Sequence, residues 1–282
     1  MLAKRRLGKT GEELSKIGFG GIIVKDTTKE QAAGYVREAI ERGVNYFDVA
    51  PTYGNAEDML GPALEPYRRD VFLACKTTER SQAGAWQELQ TSLEKMRTDY
   101  FDLYQLHAVN TAADVQEVLG PRGALEAVLR AQEEGLVRYI GFSSHSESAA
   151  LQLMDAFDFD TILFPINWAL YLNGDFGPAV LQRAQEKNIG RLCLKALAKS
   201  ALPQGESTPY PNCWYIPIDD GHLADLALRF TLSQPVTAAI PPGDIRLFRL
   251  ALDIAENFTP ITEGEVSELA EKGKGVDLIF HK

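Results

Sequence analysis

The sequence predicts an α/β protein: a closed (β/α)8 TIM barrel preceded by a short N-terminal β-hairpin. Two observations carry that expectation. First, eight short apolar or β-branched runs alternate with longer stretches of helical period along the 282 residues. Strands alternating with helices imply parallel pairing through right-handed crossovers, and eight such units in roughly 250 residues suit a closed barrel better than an open sheet. Second, the glycine-rich nucleotide loop that a doubly wound sheet carries after its first strand is missing. Gly18-Phe19-Gly20-Gly21 has only part of that spacing, and no helix start follows at once. With no linker, low-complexity tract or break in composition, residues 1–282 read as one domain.

Taken in order, the hairpin spans 5–17 and turns at Lys9-Thr10-Gly11. The strand runs are 17–21, 45–50, 71–77, 102–107, 137–143, 161–167, 190–196 and 236–241. Between them, Ala32, Tyr35, Val36, Ala39 and Ile40 fall at helix spacing in 28–42 with charges opposite. Trp86, Leu89, Leu93 and Met96 repeat the pattern in 81–96, and Leu223, Leu226, Ala227 and Phe230 in 221–231. Arg42-Gly43, Glu134-Gly135 and Asn188-Ile189-Gly190 are polar-then-glycine exits from helix to strand.

Composition narrows the function. Apolar residues make up 45% and charged residues 24%, the balance of an ordinary globular protein. A net charge of −10, from 29 basic and 39 acidic side chains, argues against nucleic acid, which needs a basic patch. Lys4-Arg5-Arg6 and Arg68-Arg69 are too short to make one. No apolar run approaches the ~18–20 residues of a membrane span, and the basic start lacks the apolar stretch of a signal peptide. Cys75, Cys193 and Cys213 are odd in number and form no CxxC, so a reduced, cytoplasmic chain is expected. In that compartment the triplet Asn257-Phe258-Thr259 has no glycosylation role. Four histidines without HxxH or HExxH spacing give no reason to expect a metal.

In such a barrel the working residues sit at the C-terminal ends of the strands and in the loops that follow. Those positions hold Asp48, then Tyr53 in the loop Ala50-Pro51-Thr52-Tyr53-Gly54, then Lys76 and His107. Singly, an aspartate or lysine there reads as a loop anchor and a tyrosine as packing; together the four suggest proton transfer to a carbonyl oxygen. A phenol with pKa ~10 is a weak acid near neutrality. A nearby ammonium favours phenolate and so eases loss of the proton. Lys76 supplies that charge, Asp48 holds Lys76 charged and aimed, and His107 fixes the substrate oxygen beside the phenol.

The stretches Arg6-Leu7-Gly8-Lys9-Thr10-Gly11, Gly43-Val44-Asn45-Tyr46-Phe47-Asp48-Val49-Ala50-Pro51-Thr52-Tyr53-Gly54, 102–107 and Gly135-Leu136-Val137-Arg138-Tyr139-Ile140-Gly141-Phe142-Ser143 resemble the aldo-keto reductase family. The resemblance runs in family order from the hairpin to the eighth strand. It implies carbonyl reduction with an extended nicotinamide cofactor, NADPH with NADH as the second candidate, and a small carbonyl substrate. Tyr53 becomes the general acid, Lys76 and Asp48 its tuners and His107 the residue that orients substrate. The implied cofactor positions are Gly20, Gly21, Ile22, Asp48, Ser143, Ser144, Asn167, Lys195, Ala196, Leu197, Pro241, Pro242, Gly243, Asp244 and Arg249.

Three departures from the family pattern stand out. Ser144 replaces a common asparagine, Asn167 a common glutamine, and the run Cys193-Leu194-Lys195-Ala196-Leu197 lacks the aromatic that often stacks on the nicotinamide. Lys195 is then expected at the pyrophosphate and Arg249 at a 2′-phosphate. The irregular connection 202–215, rich in proline and aromatics, suggests a wall or lid carrying Trp214, with Trp168 and Tyr171 on the same wall. Two other readings stay open: a cofactor-binding sensor with little turnover, as in the potassium-channel β subunits of this family, and a Schiff-base aldolase using Lys76 or Lys195. The oligomeric state is left undetermined.

Overall fold

The computed structural model describes residues 2–282. Strands β1 (Lys4–Arg6) and β2 (Glu13–Ser15) form the antiparallel hairpin, with Arg5 opposite Leu14. Its turn is a single 3-10 turn, Gly8–Thr10, released by Gly11 at φ 83°. The barrel strands are β3 (Phe19–Gly20), β4 (Tyr46–Asp48), β5 (Phe72–Thr77), β6 (Phe101–Leu106), β7 (Val137–Ser143), β8 (Thr161–Pro165) and β9 (Gly190–Leu194). A second antiparallel pair, β10 (Ala198–Ala201) and β11 (Tyr215–Pro217), precedes the last barrel strand, β12 (Ala238–Ile240). The eight barrel strands are parallel and lie side by side in sequence order. A parallel bridge from Ile17 to Ala239 joins the first strand to the last, with Gly18 N–H donating to Ala239 O at 3.0 Å and Ala239 N–H to Lys16 O at 2.9 Å.

All eight expected strands are present, and the runs 45–50, 161–167 and 190–196 each end two residues early at the functional end. The run 161–167 stops at Pro165 because Asn167 caps the helix Trp168–Asn173, its side chain accepting from Ala169 N and Leu170 N. The run 190–196 stops at Leu194 because Lys195 takes φ 68°, which breaks an extended strand. Helix starts follow the same local chemistry. Thr28 and Gln31 form a capping box at Lys29–Glu41, Ser81 caps Gln82–Met96, and Asp220 caps Gly221–Ser233.

The helix exits differ in their physics. Gly43 (φ 89°) and Gly135 (φ 78°) supply the left-handed residue. At the third exit Asn188 takes that conformation itself (φ 53°), while Gly190 is small for packing: a Cβ there would lie 2.5 Å from Leu7 Cδ1.

Strand alternation sorts the apolar residues into two cores. Tyr46, Phe72, Ala74, Leu103, Leu163, Leu192 and Ala238 fill the barrel interior together with Leu7 and Leu14, so the hairpin plugs the N-terminal end. Their neighbours in sequence, such as Phe47, Leu73, Cys75, Tyr104 and Phe142, face the surrounding helices. Among the described residues no helix is long and apolar enough to cross a membrane.

The plug rests on one tight approach. Gly8 has φ 49°, and a Cβ there would meet Gly190 N at 2.4 Å and Asn188 O at 2.5 Å, both backbone atoms that cannot swing aside. Gly8→Ala is expected to destabilise the protein by about 2–3 kcal/mol, the scale of a strained, overpacked contact. Urea unfolding measures this; a loss below about 0.5 kcal/mol, the scale of an ordinary surface change, would show that the hairpin does not seal the barrel.

Candidate active site

Asp48 ends β4, Lys76 lies on β5 and Gln105 on β6, and strand register brings them together: Asp48 pairs with Ala74, and Lys76 with Gln105. Lys76 has no solvent exposure and Asp48 only 2%. The Lys76 ammonium donates to an Asp48 carboxylate oxygen and, at 2.9 Å, to the Val49 carbonyl. The other Asp48 oxygen accepts from Gln105 Nε2 at 3.1 Å and the Tyr46 hydroxyl at 3.3 Å. Burial favours the neutral amine, but the Asp48 carboxylate outweighs it and leaves the Lys76 pKa above that of an ordinary lysine. The ammonium therefore stays charged in a place water does not reach.

Tyr53 stands in the loop after β4, half-buried, its N–H donating to Ala50 O at 3.1 Å. Lys76 Nζ is 5.3 Å from the centre of its ring. Here the structure corrects the sequence reading of a lowered phenol pKa. Burial is the largest influence and raises it, Asp48 adds to the rise, and Lys76 only partly opposes them. The phenol is thus held in its protonated form.

His107 follows β6 and meets Tyr53 edge-on, ring centres 6.2 Å apart at 82°. Burial, then the charges of Lys76, His145 and Arg80, push its pKa down to about 2, so the ring is neutral. Its Nδ1 lies 2.8 Å from Ser143 Oγ, which also accepts from Ala108 N–H at 2.8 Å. Arg80 grips the same loop, donating to His107 O at 2.8 Å, Ala108 O at 2.9 Å and Asp114 Oδ1 at 3.1 Å.

The structure thus gathers Asp48, Tyr53, Lys76 and His107 and adds Tyr46, Gln105 and Arg80, which sequence reasoning did not assign. Period two could have found Tyr46 and Gln105, two residues before Asp48 and His107 on the same faces. Nothing in the sequence around Arg80 marks its part.

A cleft opens beside this group. Asp48 and Tyr53 line one part; Gly20, Ile22, Lys195, Pro241, Pro242 and Gly243 line the rest. Asn212, Trp214 and Tyr215 of the 202–215 connection also line it, and Asn212 Nδ2 reaches Gly243 O at 3.4 Å and Ile22 O at 3.5 Å, from one wall to the other. Lys195 Nζ sits 4.8 Å from the Trp214 ring and 4.5 Å from the Tyr215 ring. Burial lowers its pKa to about 8, and no carboxylate pairs with it among the described residues.

Several expected ligand residues are engaged elsewhere. Trp168 is 1% exposed and donates to Ala198 O at 3.3 Å, so it belongs to the core and not to the cleft wall. Tyr171 packs edge-on to Phe230 at 5.5 Å. Ala196 and Leu197 are core residues, and a Cβ on Gly21 would lie 2.8 Å from Val49 Cγ2, so Gly21 serves packing. Asn167 uses its whole amide, accepting the two capping N–H groups and donating to Lys195 O at 2.9 Å and Ala198 O at 2.8 Å. Ser144 bonds Ser146 O at 3.1 Å and Asn110 Oδ1 at 3.4 Å.

Asp244 caps the helix Ile245–Glu256 and pairs with Arg246 at 2.8 Å, while Arg249 pairs with Glu38 at 2.7 Å. Missed altogether was Phe280, whose ring stacks on His145 at 4.8 Å and lies 5.8 Å from Trp214.

Removing Asp48 strands a buried ammonium. Asp48→Ala is expected to destabilise the protein by about 3–5 kcal/mol, the cost of breaking a buried ion pair. Denaturant titration checks it; unchanged stability would mean that the fold does not depend on Asp48 to hold Lys76 charged.

The Aldo/keto reductase family model matches residues 16–213. Among curated relatives, the uncharacterized oxidoreductase YqkF of Bacillus subtilis is 26% identical, with 97% of each chain covered. The L-galactose dehydrogenase of Arabidopsis thaliana is also 26% identical, over 93% of this chain and 88% of its own. Among solved structures, the holo form of an aldo-keto reductase from Bacillus halodurans superposes with TM-score 0.76 at 24% identity, covering 100% of this chain and 99% of the other, a likeness of fold. With its family signature matched over most of its length and its parallel strands closed into the corresponding barrel, this chain belongs to the aldo/keto reductase family of NAD(P)H-dependent oxidoreductases.

Proposed function

We propose that the chain reduces an aldehyde or ketone to the alcohol, with NADPH preferred over NADH and Tyr53 as proton donor. The observation that carries this is the surroundings of Tyr53: a buried, charged Lys76 near one side of its ring and a neutral His107 on another. When bound, the nicotinamide supplies a hydride to the carbonyl carbon. The phenol hydroxyl and His107 both donate to the carbonyl oxygen, which becomes the alcohol oxygen by taking the Tyr53 proton. The phenolate left behind is stabilised by Lys76, whose charge Asp48 maintains. The raised phenol pKa keeps the acid loaded at neutral pH, and Lys76 lowers the energy of the state in which the proton has left.

The cleft suits an elongated anion. It runs from Tyr53 to Gly243, next to the Asp244 cap of the last barrel helix, and holds an unpaired ammonium at Lys195. Lys195 would meet the pyrophosphate, helped by the amides that open Ile245–Glu256. Arg249 would meet a 2′-phosphate on exchanging Glu38 for it. Lys76 as an aldolase nucleophile is disfavoured, because it is fully buried, charged and paired. A small carbonyl compound in the cytoplasm completes the reading.

Tyr53→Phe is expected to lower the turnover of activated aldehydes about 10²–10⁴-fold, the usual contribution of a general acid. NADPH affinity, followed by fluorescence quenching, should stay within about twofold, since a charge-assisted contact would shift it far more. Undiminished turnover would remove Tyr53 as the acid. Tight NADPH binding by the wild type, with no carbonyl in the panel reduced, would favour the sensor.

Arg249→Ala is expected to weaken NADPH binding roughly tenfold or more, as loss of a charge-assisted contact does, and to leave NADH unchanged. Equal effects on the two cofactors would place the 2′-phosphate elsewhere.

A further inference from the structure

We propose that Ser143 is a positioning residue that fixes the tautomer of His107, so that Nε2 carries the proton and faces the substrate oxygen as a donor. This rests on the proposed role of His107 and adds the group that makes it a donor. The argument is one of accounting at a buried hydroxyl. Ser143 is 1% exposed and ends β7. Ala108 N–H donates to its Oγ at 2.8 Å, a direction that cannot be reversed. The remaining partner of that oxygen is His107 Nδ1, also at 2.8 Å.

If Nδ1 held the ring proton, Ser143 Oγ would accept twice and its own proton would be buried without an acceptor, an unfavourable state. If Ser143 donates to Nδ1, the hydroxyl and Nδ1 are both satisfied and the neutral ring keeps its proton on Nε2. Nε2 has no hydrogen-bond partner among the described residues.

The backbone is shaped to keep this arrangement. Ala108 takes φ 51°, a conformation that a residue with a side chain rarely adopts, and this turns its N–H onto Ser143. Arg80 holds the kink in place through the carbonyls of both His107 and Ala108. Val109 N–H closes the loop onto the Ser143 carbonyl at 3.0 Å. Ser143 and the loop after β6 therefore form one rigid unit that carries the ring.

The test joins 15N NMR of histidine-labelled full-length protein to kinetics and NADPH titration of the same samples. His107 is assigned by the resonances lost in His107→Gln. In the wild type, its ring is expected to show a single neutral Nε2–H tautomer. Ser143→Ala should give a mixture of tautomers and lower kcat roughly tenfold, the worth of one such hydrogen bond, with NADPH affinity within about twofold. Ser143→Thr, which keeps the hydroxyl, should restore both the spectrum and kcat. A wild-type proton on Nδ1, or a Ser143→Ala spectrum identical to the wild type, overturns the proposal. So does Ser143→Ala acting on NADPH affinity alone, which would make Ser143 a cofactor ligand. If the spectra behave as expected while no carbonyl is reduced, the tautomer assignment stands and the proposed reaction is what fails.

Discussion

Lys76 holds a full positive charge at a point with no access to water, and the catalytic end of the barrel is arranged around keeping it. An unpaired ammonium there would lose several kcal/mol of hydration and would shed its proton instead. Asp48 prevents that, and Asp48 is in turn held by Gln105, Tyr46 and Lys76 together. The arrangement exists only when β4, β5 and β6 are in register, since a one-residue slip would turn Lys76 out toward the helices. The barrel core, the hairpin plug that seals its base and the charge at its top are in this sense one construction.

That charge then sets the state of its neighbours. It keeps His107 neutral, together with burial, and opposes the rise in the Tyr53 pKa without reversing it. In the proposed reaction, two neutral donors beside a fixed cation would favour the build-up of negative charge on a carbonyl oxygen. Lys195 repeats the theme farther along the cleft, an ammonium without a carboxylate in a chain whose net charge is −10. An acidic chain thus carries a lysine without a carboxylate partner in its cleft, so net charge says little of the ligand.

Much of this was legible in the residues. Alternation of short apolar runs with helical periods identified eight strands, because the inward and outward faces of a barrel strand are both buried and leave continuous apolar segments. Helical periodicity placed the segments 28–42, 81–96 and 221–231, and the structure adds the caps Thr28, Ser81 and Asp220 at their starts. The four candidate residues were legible because strand ends are the one place where a barrel exposes polar groups. Trp168 was misplaced because an aromatic following a strand reads the same whether its ring turns toward the cleft or into the core, and packing beneath β10 turned it inward. Arg249, expected at a 2′-phosphate, instead finds a carboxylate 211 residues away in Glu38.

By itself the sequence determined what local rules govern: strand and helix order, the glycine exits from helix to strand, the barrel class and the residue types at its working end. Tertiary structure alone decided which of those residues share a hydrogen bond. It chose Gln105 and Tyr46 as the second support of Asp48, set Ser143 against His107, turned Asn167 into a structural cap and brought Phe280 to His145. The reason is that periodicity acts over a few residues of chain. The protonation state of a buried group depends on every charge and dipole within several ångströms, and in a closed barrel these come from strands and loops far apart in sequence.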